Sequence, residues 1–251
     1  MNILVIDVGT SGVRAAVVRP GEGVALSHHA EVLPASPAPG LVEFDPAAMA
    51  SAVLELAQRV IDEVGAVDGV GIANQRASTV VWDRATGEPV GPGLGWQDLR
   101  TVGECLGLGA QGFHIAPNIV ATKAQHLLDL ADPDRTRDLC IGTVDSWVAW
   151  TLSGGALHVS DATNLALYGL RSDDQASWHD RLLGLLRIPE GALPAPVDSI
   201  GAIGEASVLP GAPPIAGILG DQQASLLGQG CVAPGQAKIT FGTGGMLDLC
   251  L

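Results

Sequence analysis

Two glycine-rich turns, each entered from an apolar run, constrain this chain more than any other feature. The first is Asp7-Val8-Gly9-Thr10-Ser11-Gly12, and the second is Gly242-Thr243-Gly244-Gly245, entered through Lys238-Ile239-Thr240-Phe241. Apolar residues resume beyond each turn, at Val13 and at Met246, so each reads as a β-hairpin. A P-loop would run from its glycines into a helix, and no GxxxxGK followed by Ser or Thr occurs. In a hairpin, glycines let backbone N–H groups approach an anion, and Thr10 and Ser11 add hydroxyl donors. Each turn alone is equally a tight corner that needs glycine; the pair favours phosphate binding. Between them, the buried run 215–220 ends at Asp221-Gln222-Gln223. A carboxylate there serves as a helix N-cap or as a general base toward a hydroxyl. Asp7, at the end of the first strand, is placed to hold a metal-bound water. Two phosphate-sized turns with a carboxylate between them point to phosphoryl transfer.

Composition narrows the class. The 251 residues suffice for one large domain or two small ones, and an apolar content of 47% allows a sizeable core. With 33 glycines and only 4% aromatic residues, the chain reads as an α/β protein with many tight connections. A formal charge of −14 argues against nucleic acid or an anionic membrane as the main partner. Any bound phosphate must therefore rely on backbone donors, a few cations and a metal; the only lysines are Lys123 and Lys238. Cys105, Cys140, Cys231 and Cys250 show no CxxC spacing and read as reduced thiols. The six histidines have no metal-ligand spacing and read as structural. The first residues read as a core strand and not as a signal peptide, and no apolar run approaches 18 residues, so a cytoplasmic protein is expected. Homo-oligomerisation is left open.

Along the chain, residues 2–8, 13–18 and 23–32 are expected to form antiparallel strands, because the turns between them are short. A helix follows, with Asp45 as N-cap and Pro46 in its first turn. Met49, Val53, Leu56, Val60 and Val64 fall on one face, and Gly65 is the stop. Residues 67–73 return as a strand, giving β-β-β-α-β. Residues 79–89 predict an inserted hairpin, 121–130 and 142–152 helices, the latter open to being entered from a short strand, and 189–214, with six prolines, an extended connection. Strand 215–220, a helix from 222 to 227, and strands 237–241 and 246–251 complete the chain. Gly107 to Gly112 matches GxGxxG, but no strand precedes it, so it is not read as a dinucleotide loop.

Asn74-Gln75-Arg76 follows a core strand, and Trp96-Gln97-Asp98 follows a glycine-rich loop. Hydrogen-bonding groups beside an indole suit a polyol pocket. With Gly71 to Arg76, Val81 to Asp83, Thr86 to Pro89, Ala121 to Lys123, Gly142 to Trp147, His158 to Asn164, Gly217 to Ala224 and Phe241 to Gly244, these residues resemble the FGGY family of carbohydrate kinases. The glycerol-kinase-like members are the most similar, and the matches run in family order along the whole chain.

The resemblance implies an actin/hexokinase-like (ribonuclease H-like) α/β fold with a mixed sheet. Residues 1–230 would form the substrate-binding domain, and 231–251 would be the opening hairpin of a second, ATP-binding domain that is otherwise missing. The chain is thus expected to be an amino-terminal piece or a natural truncation, inactive alone. It further implies ATP and Mg2+ as cofactors and a small polyol or sugar as substrate. Arg76, Trp96, Asn118, Asp221, Gln222 and Met246 would meet the substrate, with Asp221 as base. Gly9, Thr10, Ser11, Arg14, Gly242, Thr243 and Gly244 would meet phosphates, and Asp7 would hold magnesium through water. Three positions depart from the family pattern: Ala77 stands where a substrate-binding glutamate is usual, and Asn118 and Met246 where aromatics are. Losing a carboxylate partner for a hydroxyl costs about 1.5–3 kcal/mol, which weakens the case for glycerol and leaves room for a larger polyol or ketose. The alternative is a non-catalytic carbohydrate-binding or regulatory remnant of a kinase.

Overall fold

The computed structural model describes residues 1–172, 174–241 and 245–251. The chain opens with the meander β1 (Ile3–Val8), β2 (Gly12–Arg19) and β3 (Gly23–Glu31), then a two-residue strand β4 (Glu43–Phe44) and helix α1 (Pro46–Val64). Next come β5 (Gly69–Asn74), β6 (Thr79–Asp83), β7 (Gly93–Leu94), α2 (Val102–Gly109), α3 (Val120–Ala131), β8 (Leu139–Thr143) and α4 (Val144–Leu152). The remainder holds β9 (Val159–Asp161), α5 (Ala162–Leu165), α6 (Asp180–Leu186), β10 (Ala195–Val197), β11 (Ile200–Glu205), β12 (Pro214–Gly220), α7 (Asp221–Gly228), β13 (Ala237–Phe241) and β14 (Gly245–Leu249).

The main sheet is mixed, in the order β11-β12-β5-β1-β2-β3. Strand β1 pairs antiparallel with β2, as the short turn requires, and parallel with β5. Leu4, Ile6 and Val8 are completely buried, while the side chains between them are only partly so. Helix α1 supplies the crossover from the meander to β5. The Asp45 carboxylate accepts from the N–H groups of Ala47 and Ala48, Pro46 sits in the first turn, and Gly65 ends the helix at φ 78°. Its buried stripe of Met49, Val53, Leu56, Val60 and Ile61 packs on the sheet.

One expectation from the sequence is extended here and another corrected. Residues 79–89 do turn back as a hairpin, with Trp82 bridged antiparallel to Pro89, Asp83 N–H donating to Glu88 O at 2.9 Å and Val90 N–H to Val81 O at 3.0 Å, but its first strand also belongs to a wider sheet. Strand β6 pairs over five residues with β8 and touches β7 at Thr79, within a second sheet of order β4-β7-β6-β8. Thr79, Val80, Val81 and Trp82 are all buried, so this strand needs cover on both faces and neighbours on both edges. Residues 189–214 are not merely a connection. They contribute β10 and β11, and β11 lies antiparallel to β12 at the edge of the main sheet. The prolines flank β11 but spare residues 200–205, whose N–H groups remain free to pair. Gly107 and Gly109 belong to helix α2, which the sequence reading had missed along with α5, α6 and β9.

Helix α4 is buried on nearly every side and joins the two sheets. Trp147 and Trp150 from it enclose Trp82 of β6 together with His158. Burial pushes the His158 imidazole down to about 4, so it stays neutral there. A second apolar cluster fills the space between β6, β8, α3 and α6. The β13–β14 hairpin pairs only with itself among the described residues, and Ile239, Phe241, Leu247 and Leu249 are exposed. No helix is long and apolar enough to cross a membrane among the described residues.

Gly142 lies against this tryptophan cluster. A Cβ there would sit 2.6 Å from Ser146 Cβ and 2.8 Å from the Trp82 ring. Gly142→Ala is expected to destabilise the protein by about 1–3 kcal/mol through overpacking, read as a lowered urea midpoint. Gly71→Ala meets nothing within 4 Å and should stay within about 0.5 kcal/mol.

Candidate active site

Three parallel strands end at one level. Val8 of β1 stands beside Asn74 of β5, and Asn74 stands beside Gly220 of β12. The residues that follow each strand therefore emerge along a single edge: Gly9-Thr10-Ser11, Gln75-Arg76-Ala77, and Asp221-Gln222. Ligands of open α/β sheets bind outside the carboxyl ends of parallel strands. Here those ends border a cavity of about 630 Å³. Of the residues singled out from the sequence, Thr10, Arg76, Trp96, Asn118, Asp221, Gln222 and Met246 line it. Gln75, Ala77, Leu167, Ser225, Lys238 and Thr240 complete the wall. A larger groove of about 770 Å³ runs between α5 and β11 and shares no lining residue with this cavity.

The first turn is held by its own backbone and by Gln75. Gly9 N–H donates to Gly12 O (2.9 Å), Gln75 N–H to Val8 O (2.7 Å), and the Gln75 amide to Gly9 O (3.1 Å). Trp96 Nε1 donates to Thr10 Oγ1 at 3.2 Å, which ties the indole to the hairpin. Asp7, Gly9, Ser11 and Arg14 do not line the cavity. Asp7 is ion-paired with Arg14 across the β1–β2 ladder at 3.3 Å, in a partly exposed site.

Arg76 crosses directly over Gly220, where a Cβ would lie 2.3 Å from Arg76 Cδ, so only glycine fits at this strand end. The guanidinium donates to Gln222 Oε1 and to Thr163 O, and its Nε is buried with no protein partner. Asp221 opens α7. Gly220 takes the N-cap position and no side chain caps the helix, so the capping alternative for Asp221 is not met; its Oδ1 accepts only from the adjacent Gln222 N–H, at 2.8 Å. Burial raises the Asp221 carboxyl above the usual range, with the Asp7 charge adding to the effect. The Gln222 N–H, Arg76 and Lys238 oppose it. Asp7 is likewise raised by burial, opposed by Arg14 and His29. Lys238 Nζ donates to Gln222 O (3.3 Å) and pairs with Asp248 (3.2 Å), joining the β13–β14 hairpin to the first turn of α7. Gly242, Thr243 and Gly244 lie outside the described residues.

Asn74, read from the sequence with Gln75 and Arg76 as suited to a polyol pocket, is instead fully buried support beneath the site, together with the segment from Asp161 to Asn164, to which the sequence assigned no role. Asn74 and Asn164 exchange amide hydrogen bonds (2.8 and 3.1 Å), and Asp161 holds the Asn164 side chain while capping α5. Thr163 Oγ1 accepts from Gly220 N–H at 2.8 Å. The first turn of α5 thereby locks the ends of β5 and β12. The available signal was Asp161 as an N-cap ahead of Thr163 and Asn164, a local motif whose long-range role sequence alone does not disclose.

Residues 2–228 match the FGGY family of carbohydrate kinases, N-terminal domain. The chain belongs to this family. It is 42% identical over 265 residues to a glycerol kinase of Aromatoleum aromaticum, covering 96% of this chain and 53% of that protein. A glycerol kinase of Methylobacterium nodulans is 40% identical over 262 residues, covering 96% and 52%. The crystal structure of Plasmodium falciparum glycerol kinase with ADP superposes with a TM-score of 0.90 at 23% identity, over 98% of this chain and 53% of that one. The fold is thus the expected actin/hexokinase-like one, and the chain spans about half the length of the curated relatives it matches.

The raised Asp221 carboxyl carries a stability consequence. Between the ordinary carboxylate range and the raised value, the folded state holds more protons than the unfolded one, so this group's contribution falls as pH rises. Asp221→Asn is expected to raise the thermal midpoint at neutral pH. The gain should shrink in acid, where both states carry the proton, and melting curves across pH check it.

Proposed function

We propose that the protein, as part of a kinase of the length its relatives have, transfers the γ-phosphoryl group of ATP to a hydroxyl of a small polyol or sugar. The observation that carries this reading is the shared level of Val8, Asn74 and Gly220, which sets Thr10 of the first turn and Asp221 of α7 on the walls of one cavity. Asp221 takes the proton of the acceptor hydroxyl as that oxygen bonds to the γ-phosphorus, and the bridging oxygen leaves with ADP. The raised carboxyl is a stronger base than an ordinary carboxylate. Arg76, with an unpartnered buried Nε, and Gln222 meet acceptor hydroxyls, Trp96 covers the carbon skeleton, and Asn118 and Met246 close the wall. Gly9, Thr10, Ser11 and Arg14 stabilise the charge on the transferred group. Gly242, Thr243 and Gly244 are assigned to the nucleotide phosphates.

The donor set fits magnesium. Among the described residues no three ligating side chains converge, and Asp7 offers one carboxylate with an oxygen already committed to Arg14. Magnesium typically takes one or two carboxylates and completes its shell with water and phosphate oxygens. Asp7 would hold it through water, and when bound it neutralises phosphate charge. Residues 1–230 are assigned to the acceptor-binding domain and 231–251 to the start of the nucleotide-binding one, in a cytoplasmic enzyme. The relatives named glycerol kinase support a polyol acceptor, while the small side chain of Ala77 on the cavity wall widens the range toward longer polyols and ketoses. The non-catalytic reading is weaker, because the whole proposed acceptor set lines one cavity.

ADP release across glycerol, longer polyols and ketoses tests the proposal. Asp221→Asn should lower kcat by about 10²–10⁴-fold with little effect on acceptor binding. Turnover that survives this substitution unchanged overturns the mechanism.

A further inference from the structure

Lys123 is fully buried, and among the described residues no carboxylate lies within ion-pairing distance of it. Its Nζ instead donates to three carbonyl oxygens: Ala77 at 2.7 Å, Gly95 at 3.2 Å and Asn118 at 3.3 Å. Three donors on an ammonium meet three acceptors. These carbonyls come from three stretches far apart in sequence, and each stretch presents a wall of the cavity. Ala77 follows Arg76, Gly95 precedes Trp96, and Asn118 is itself a lining residue. Ala77 also holds a left-handed backbone at φ 64°, a conformation that a non-glycine residue keeps only where its surroundings enforce it. The bond from Lys123 to its carbonyl is the shortest of the three.

We propose that Lys123 is a positioning residue for the acceptor pocket: its ammonium fastens the backbone that carries Arg76, Ala77, Trp96 and Asn118, without touching the substrate. This rests on the kinase reading for what the pocket binds. The fastening depends on charge. Burial draws Lys123 down to about 7, with the Asp98 charge opposing. Asp98 is itself committed to Arg100 and to the Val42 N–H, and Arg100 also pairs with Glu43. A neutral amine has two N–H donors and a lone pair, so one of the three carbonyls loses its partner. The acceptor side therefore loosens as pH rises through about 7, whereas the Asp7–Arg14 side has no contact with Lys123.

The test uses the intact enzyme with ATP and glycerol, or xylulose if glycerol is not turned over. Lys123→Met keeps the aliphatic stem and removes the donors. At about pH 6 it should raise acceptor KM by more than about tenfold, because all three hydrogen bonds are lost and one alone is worth about tenfold, and change ATP KM by less than about twofold. In the unaltered enzyme, acceptor KM should climb between about pH 6 and 8.5 toward the variant's without reaching it, because the neutral amine keeps two donors. Equal rises in both KM values, or no rise in either, overturn the proposal. If the variant does not fold, the pH series on the unaltered enzyme decides. Hydrogen exchange, corrected for intrinsic pH dependence, gives a readout independent of turnover. Residues 75–79, 95–98 and 118–122 should open faster at the higher pH while β1 and β2 do not. That pattern without turnover of either acceptor would sink the kinase reading and leave Lys123 its role; turnover without that pattern would remove Lys123 from the site.

Discussion

The register of three parallel strands is the constraint on which this site depends. Val8, Asn74 and Gly220 stand level, and the residues after them supply the hairpin turn, the guanidinium and the carboxylate. A slip of one residue in β12 would move Asp221 by about 3.3 Å and turn it to the opposite face. The register is fixed from both sides of the sheet. Below, Leu4, Ile6, Val8, Val70, Ile72, Ile215 and Ile218 are buried in one core with α1. At the strand ends, the Asn74–Asn164 amide pair and the Thr163–Gly220 bond hold β5 and β12 against α5. Because a buried, unpaired amide costs more than a paired one contributes, a slipped register would break every one of these bonds at once.

Electrostatics gives the site its second character. In a chain with 27 acidic and 13 basic residues, carboxylates stand near the ends of two of these strands, Asp7 on β1 and Asp221 after β12, and each is raised by burial. Arg14 pairs with Asp7, while Arg76 and Lys238 act on Asp221 through their charge and are bonded to Gln222 and to Asp248. Raising carboxyls by burial in this way costs stability at neutral pH. Lys123, although the chain has only two lysines, is not spent on an anion. Its three carbonyl contacts set the position of a wall.

Much of the architecture was legible locally. The opening meander, the Asp45 cap with its apolar stripe, the strand before Asp221 and both hairpins follow from short-range rules of turn length, capping and periodicity. Arg76, Trp96, Asn118, Asp221, Gln222, Met246 and Thr10 were each found from motif context, and the fold brings them to one cavity. What escaped was long-range. Strand β6 was legible as one arm of a hairpin but not as the neighbour of β8, which lies 56 residues later, from Asp83 to Leu139. Proline density hid β11, and three glycines hid helix α2. Asp161, Thr163 and Asn164 carry an ordinary capping motif whose importance lies in what it touches.

Residue types and their spacing pointed to a class of chemistry: glycines where backbone can approach an anion, a carboxylate at a strand end, and hydrogen-bonding groups beside an indole. These are local properties, set by backbone sterics and side-chain chemistry. The tertiary structure alone decided which strand ends share a level, that Arg76 lies over Gly220, and that a buried ammonium joins residues 77, 95 and 118. Those facts depend on packing between segments tens of residues apart, and no local rule encodes the distance between them.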